Sequence, residues 1–124
     1  MRARKFAMAA FGVLLLAGMA CRTAQAQAPC DRTCLRDFVD QYVAAMVKHD
    51  PAGLALTADY KYTENTATMP LGDGLWVGAS EGPTTFKIYV LDPTSHQAGL
   101  FAVMKEFDKP VILALRLKID DRKI

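Results

Sequence analysis

The chain has 124 residues, 52% of them apolar and 23% charged, with 15 Lys and Arg against 13 Asp and Glu. That length holds one domain, and the composition excludes disorder or collagen-like repetition for most of it. The net charge of +2 joins two unlike segments: Arg2, Arg4, Lys5 and Arg22 lie in the first 26 residues, which hold no acid, and the remainder sets 11 basic residues against 13 acidic ones. A mildly acidic body offers no electrostatic footprint for nucleic acid or an anionic membrane surface, so neither is expected as a partner.

Residues 1–26 read as a cleaved signal peptide. A basic start is followed by an apolar run from Phe6 to Ala20 and by Ala24-Gln25-Ala26, a small-x-small cleavage site. As a helix, the apolar run would be about 22 Å long, short of the ~30 Å hydrocarbon core, so no stable membrane span is expected after cleavage. The alternative is a lipoprotein-type site at Cys21, but Gly18-Met19-Ala20 lacks the branched aliphatic residue usual three positions before such a cysteine.

Export, to the periplasm or beyond the cell, places residues 27–124 in an oxidising compartment. Cys30 and Cys34 are the only cysteines there, and an isolated pair in such a compartment reads as a disulfide. Cys30 is expected in the non-helical lead-in to a helix. A redox or zinc role is the sharper alternative. The C-x-x-x-C spacing departs from thiol oxidoreductases, and zinc would need His49 and His96 from far away.

The body opens with N-cap candidates at Asp31-Arg32-Thr33. Leu35, Phe38, Val39, Tyr42, Val43, Met46 and Val47 then recur at three and four, which predicts an amphipathic helix from Thr33 to His49. His49-Asp50-Pro51 ends it, and Pro51 suits the first turn of a second short helix reaching Leu56. Tyr60 to Asn65 alternates and is rich in strand formers. Met69 to Trp76 is a glycine-punctuated loop with the single tryptophan. Strands are then predicted over Thr85–Leu91, Gln97–Phe107 and Val111–Ile119, joined by connections short enough to make neighbours antiparallel. In the last of them Val111, Leu113, Leu115, Leu117 and Ile119 share one face, opposite Ile112, Ala114, Arg116 and Lys118. The expected architecture is α+β, with helices on one face of a curved, mostly antiparallel sheet.

This order of elements resembles the NTF2-like superfamily, which includes SnoaL-like polyketide cyclases and ketosteroid isomerases. More narrowly, Tyr62-Thr63-Glu64-Asn65, Leu71-Gly72-Asp73-Gly74-Leu75-Trp76 and Leu115-Arg116-Leu117-Lys118-Ile119 resemble an exported, sparsely characterised branch of that superfamily. The resemblance runs from about Cys30 to Ile124. It implies a cone enclosing an apolar pocket, and homodimers through the sheet. Members usually continue with a final strand inside the sheet. Because this chain stops at Asp120-Asp121-Arg122-Lys123-Ile124, the single domain of 27–124 is expected to lack that strand.

Enzymes of this resemblance place a carboxylate or histidine in a greasy cavity beside a hydrogen-bond donor. Burial raises a carboxylate's pKa towards that of a useful base, and a neutral donor stabilises a developing enolate oxygen. Alternation puts Tyr60, Tyr62 and Glu64 on one side of their strand, which makes Glu64 the candidate base and Tyr62 its donor. Tyr42, Tyr60, Asn65 and Trp76 are the candidate pocket residues. Tyr42 also fits a core position, His49 a helix end, and Asp73 and His96 turns. The chain has no nucleophile elbow, zinc-binding H-E-x-x-H, phosphate-binding glycine loop or dinucleotide fingerprint, so no cofactor or metal is expected. Three functions compete: a binding module for a small apolar or aromatic molecule, a cofactor-independent cyclase, isomerase or dehydratase using Glu64, and an interaction domain using the Arg116/Lys118 side of the sheet.

Overall fold

The computed structural model describes residues 29–124. The expected signal peptide and Cys21 lie outside the described residues. Helix α1 (Arg32–Val47) begins where the Asp31 carboxylate accepts the Cys34 N–H at 2.9 Å, one of the donors a helix start leaves unpaired. Its end is a Schellman arrangement. His49 N–H reaches the Met46 carbonyl and Asp50 N–H the Ala45 carbonyl, while His49 takes the left-handed φ of 54° that glycine usually supplies there. The helix therefore stops two residues before the expected His49. The second helix shrinks to one 3₁₀ turn, Pro51–Gly53, because Leu54 is already extended.

The expected strand over Tyr60–Asn65 is also shorter. Among the described residues strand β1 (Thr63–Glu64) pairs with β2 (Ala67–Thr68) alone, through a two-residue turn in which Asn65 and Thr66 have φ of 46° and 70°. Alternation read Asn65 as a strand residue, whereas it occupies the turn. The glycine loop contains a short helix, α2 (Leu75–Gly78), that leads straight into β3 (Ala79–Glu81). Neither element showed in the periodicity, since four helical and three strand residues are too few for their pattern to repeat twice.

The main sheet is antiparallel and centred on β5 (Gln97–Glu106). On one edge β5 pairs with β6 (Lys109–Lys118) along its whole length. Its other edge is shared by β4 (Lys87–Asp92) and, past a register shift, by β3. The turn expected at Asp108-Lys109-Pro110 instead falls at Phe107 and Asp108, both with positive φ, so Lys109 and Pro110 belong to β6.

Helix α1 lies across β3, β4 and β5 and buries Leu35, Val39, Tyr42, Val43 and Met46 against one sheet face. That face supplies Leu100, Ala102 and Met104 from β5, and Leu113 and Leu117 from β6. The alternation read in β6 holds, with Ile112, Ala114, Arg116 and Lys118 exposed on the opposite face. The protein is thus a mixed helix and antiparallel-sheet fold. The Cys30–Cys34 disulfide is formed, with Cys30 ahead of the helix and buried at the edge of the core. Among the described residues no helix is long and apolar enough to cross a membrane.

A threonine at φ of 70° is strained, because its branched Cβ crowds the backbone in the left-handed region. Replacing Thr66 by glycine is expected to raise unfolding stability by about 1 kcal/mol, read as a higher urea midpoint at unchanged slope. An unchanged or lower midpoint would show that this turn geometry is not the one adopted in solution.

Candidate functional site

The site begins with one buried indole. Trp76 is fully buried; its Nε1 donates to the Tyr42 hydroxyl at 3.1 Å, and the two rings meet edge to face with centroids 5.2 Å apart. An aromatic pair in this geometry contributes about 0.5–1.5 kcal/mol beyond the area it buries. The Trp76 carbonyl meets Nδ1 of His49, and since a carbonyl can only accept, that ring nitrogen carries the proton. Helix α1, its terminal turn and the glycine loop are therefore locked together at Trp76.

Glu64 fastens the other end of the loop. Its Oε2 accepts the Tyr62 hydroxyl at 2.5 Å and the Leu75 N–H at 2.9 Å, the latter an unpaired donor at the start of α2. Gly74 makes this approach feasible. It has φ of 61°, and a Cβ there would lie 2.3 Å from Glu64 Oε2. Burial, and then donation to Glu64, push the Tyr62 hydroxyl well above the ordinary tyrosine range. Burial also raises Tyr42, against the lowering effect of the indole N–H.

Beside these residues lies a cleft of about 750 Å³. One wall is the stretch from Leu56 to Thr63 with Leu71, the other is Ala114 to Lys118 of β6, and Tyr42 and Ile124 also contribute. Of the residues expected in a pocket, Tyr42, Tyr60 and Tyr62 line this cleft, whereas Glu64, Asn65 and Trp76 do not. Trp76 stands behind Tyr42, Asn65 is exposed in the hairpin turn, and Glu64 faces the start of α2. The strand pairing expected for Tyr60 is absent, which leaves its ring 44% exposed. His96 is exposed in a turn and contributes its carbonyl to the Ile119 N–H.

Sequence reasoning did not assign Leu115, Leu117 or Ile124 to a site. For Leu115 and Leu117 the signal was present in the inward face of the last strand, where it reads equally as core; Ile124 lies beyond that strand. It also missed a smaller hollow of about 320 Å³ between α1 and β4, bounded by Val43, Val47, Pro83 and Tyr89. There Tyr89 donates to Asp40 at 2.5 Å and lies under the Arg36 guanidinium, 5.2 Å from the ring centre. Burial and the bond to Asp40 push Tyr89 up to about 12. The four-residue spacing of Arg36 and Asp40 on one helix face was the available clue. Among the described residues no three His, Cys, Asp or Glu side chains gather as metal ligands. No family model, curated protein or solved structure matches the chain.

Gly74→Ala tests the Glu64 clamp. It is expected to lower stability by about 2 kcal/mol through the left-handed backbone and the collision with Oε2. In a Glu64→Ala background the collision is gone, so part of that loss should vanish in a double-mutant cycle of thermal midpoints. Strict additivity would show that the two residues are not in contact.

Proposed function

We propose that this chain is an exported, NTF2-like binding domain that holds a small apolar or aromatic molecule in the cleft between β6 and residues 56–63. The observation that carries this reading is the commitment of the two best catalytic candidates. Glu64 Oε2 already accepts two hydrogen bonds, and the single hydroxyl proton of Tyr62 is directed at it. A general base must instead reach a substrate proton. The cleft sets Leu56, Leu71, Leu115 and the Tyr60 and Tyr62 rings among the polar side chains Thr57, Asp59, Lys61, Arg116 and Lys118, a lining suited to an aromatic group that carries polar substituents. Export is supported by the basic start, the apolar run and Ala24-Gln25-Ala26. The isomerase-like alternative requires Glu64 to leave the start of α2 during turnover.

A second reading concerns the far face of the sheet, where two copies pair. It is supported by an exposed apolar surface in register across three strands, formed by Ile88, Phe101 and Ala114, with Val90 and Ile112 beside them at 66% and 69% exposure. Phe86 and Phe101 meet edge to face on the same surface, at 5.9 Å between centroids. A patch of this kind on a small domain marks an interaction surface, and a self-complementary one generates a two-fold dimer.

The cleft is tested with the fluorescent dye anilinonaphthalene sulfonate. Saturable enhancement is expected, with affinity falling about tenfold in Leu115→Glu while far-ultraviolet dichroism is unchanged, as one lost apolar contact and a buried charge imply. Dye binding that ignores Leu115→Glu but vanishes in Phe101→Lys would move the binding site to the outer face. The dimer is tested by sedimentation: the coefficient should rise with concentration in the native chain and stay at the monomer value in Phe101→Lys. A concentration-independent monomer in the native chain would overturn the pairing.

A further inference from the structure

The hollow between α1 and β4 lies across β5 from β6, and neither the cleft nor the outer sheet face includes it. Val43, Ala44 and Val47 of α1 form one side, Pro83 and the Tyr89 ring the other. Its volume of about 320 Å³ is at the small end of ligand sites. These walls are held in place. The Tyr89 hydroxyl donates to Asp40 at 2.5 Å, and the Arg36 guanidinium lies over the same ring. Val43 and Val47 are branched at Cβ, which leaves each essentially one rotamer on a helix. A ligand entering here therefore has little to put in order, which favours binding.

The charges around the hollow are divided between its two ends. Arg32 donates to the Leu91 carbonyl and Asp40 accepts from Tyr89, so α1 and β4 run antiparallel and Lys87 lies towards the Lys48 end of the helix. Asp40 and Lys48 both line the hollow and stand about 12 Å apart along the helix axis. The acid is thus at one end and the two cations are at the other. Asp40 is already engaged by the Tyr89 hydroxyl, and Glu81, next in the chain to the lining residue Gly82, pairs with Lys105. Among the described residues Lys48 and Lys87 belong to no ion pair. Backbone donors add to this end. Val103 donates to the Phe86 carbonyl, and the same register sets Ile88 opposite Phe101 and Val90 opposite Gly99. Because such groups alternate between the edges of a strand, Lys87 and Tyr89 turn their N–H groups away from β5. Among the described residues no strand pairs with that edge of β4.

We propose that this hollow binds an amphiphilic monocarboxylate, its apolar body against Val43, Val47 and Tyr89 and its carboxylate at the rim beside Lys48 and Lys87. One negative charge balances two cations against Asp40. At the rim the carboxylate keeps part of its hydration, while the apolar body leaves water, so neither end bears the cost of burying a lone charge. The lysine stems extend the apolar wall towards their charged ends. This site is separate from the cleft beside β6 and stands or falls independently of it.

The test titrates the full, nitrogen-15-labelled chain with sodium octanoate and with octanamide, which keeps the apolar body and lacks the charge. Octanoate is expected to shift the amide signals of Val43, Val47, Lys87 and Tyr89 along one saturating curve. Octanamide should bind at least tenfold more weakly, as loss of a charge-assisted contact implies. Lys48 and Lys87 are exposed, so Lys48→Gln with Lys87→Gln leaves the core untouched. That double variant should weaken octanoate at least tenfold and leave octanamide unchanged. Ala44→Trp, also at an exposed position, fills the hollow and should abolish the four shifts for both compounds. Should a variant not fold, the native chain decides, because octanoate affinity must fall with added salt while octanamide affinity does not. Equal affinity for the two compounds overturns the carboxylate assignment. Shifts confined to Tyr62 and Leu115, or none at millimolar octanoate, overturn the site.

Discussion

The interaction on which the rest of the structure depends is the burial of Trp76 against Tyr42. An indole left without a partner for its N–H would bear a desolvation cost of about 1–3 kcal/mol, and the Tyr42 hydroxyl removes it. This single bond crosses from α1 to a segment that has almost no other regular structure. The Trp76 carbonyl is taken by His49, so the same residue also holds the helix terminus. With these three points tied, the glycine loop cannot drift from α1, and Tyr42 is presented at the inner end of the cleft. Its roles as core residue and as cleft lining are one role seen from two sides.

A second constraint is the unequal treatment of the two faces and two edges of the sheet. The inner face is covered by α1 and supplies most of the core, and the outer face remains apolar and open. One edge of β6 is fully paired with β5, and among the described residues no strand pairs with the other, the Asp120–Lys123 bridge lying just past its end. Long open edges and open apolar faces are costly for a soluble domain and are normally covered, charged or interrupted. Pro110, Arg116 and Lys118 provide some interruption and charge, and the open outer face is where a second copy has room. The proposed pairing surface and the hollow beside β4 thus follow from the same sheet, one from its outer face and one from the inner face where α1 crosses β4.

Glu64 shows why identity of residue is not identity of role. A half-buried carboxylate beside a tyrosine matches the chemistry of an acid–base pair in composition. Here the pair is turned towards the start of α2, and the proton lies between two groups of the protein instead of facing open space. The raised Tyr62 hydroxyl has the same origin: burial and a carboxylate partner both favour its neutral form. A perturbed group in or near a cleft reports its environment first and a catalytic task only when substrate can reach it.

What was legible in the sequence was whatever repeats. Helix α1, the three long strands and the inward set of β6 all showed through periods of 3.6 and 2, because burial acts on every turn or every second residue alike. The Cys30–Cys34 pair was legible through its isolation in an otherwise cysteine-free body. The short pieces were not: β1, β2, α2 and β3 are each two to four residues long, and their existence depends on distant partners. Positive φ at His49, Asn65 and Thr66 ended or bent elements at non-glycine residues that carry only weak turn signals. By itself the sequence determined the class of the fold, the approximate length of its main elements and which face of α1 and of β6 would be buried. Only the tertiary structure decided that Tyr42, Tyr60 and Tyr62 meet the β6 edge at one cleft while Glu64, Asn65 and Trp76 do not. The reason is physical: periodicity records how a residue sits relative to its own backbone, whereas access to a site depends on which donors and acceptors distant segments have already consumed.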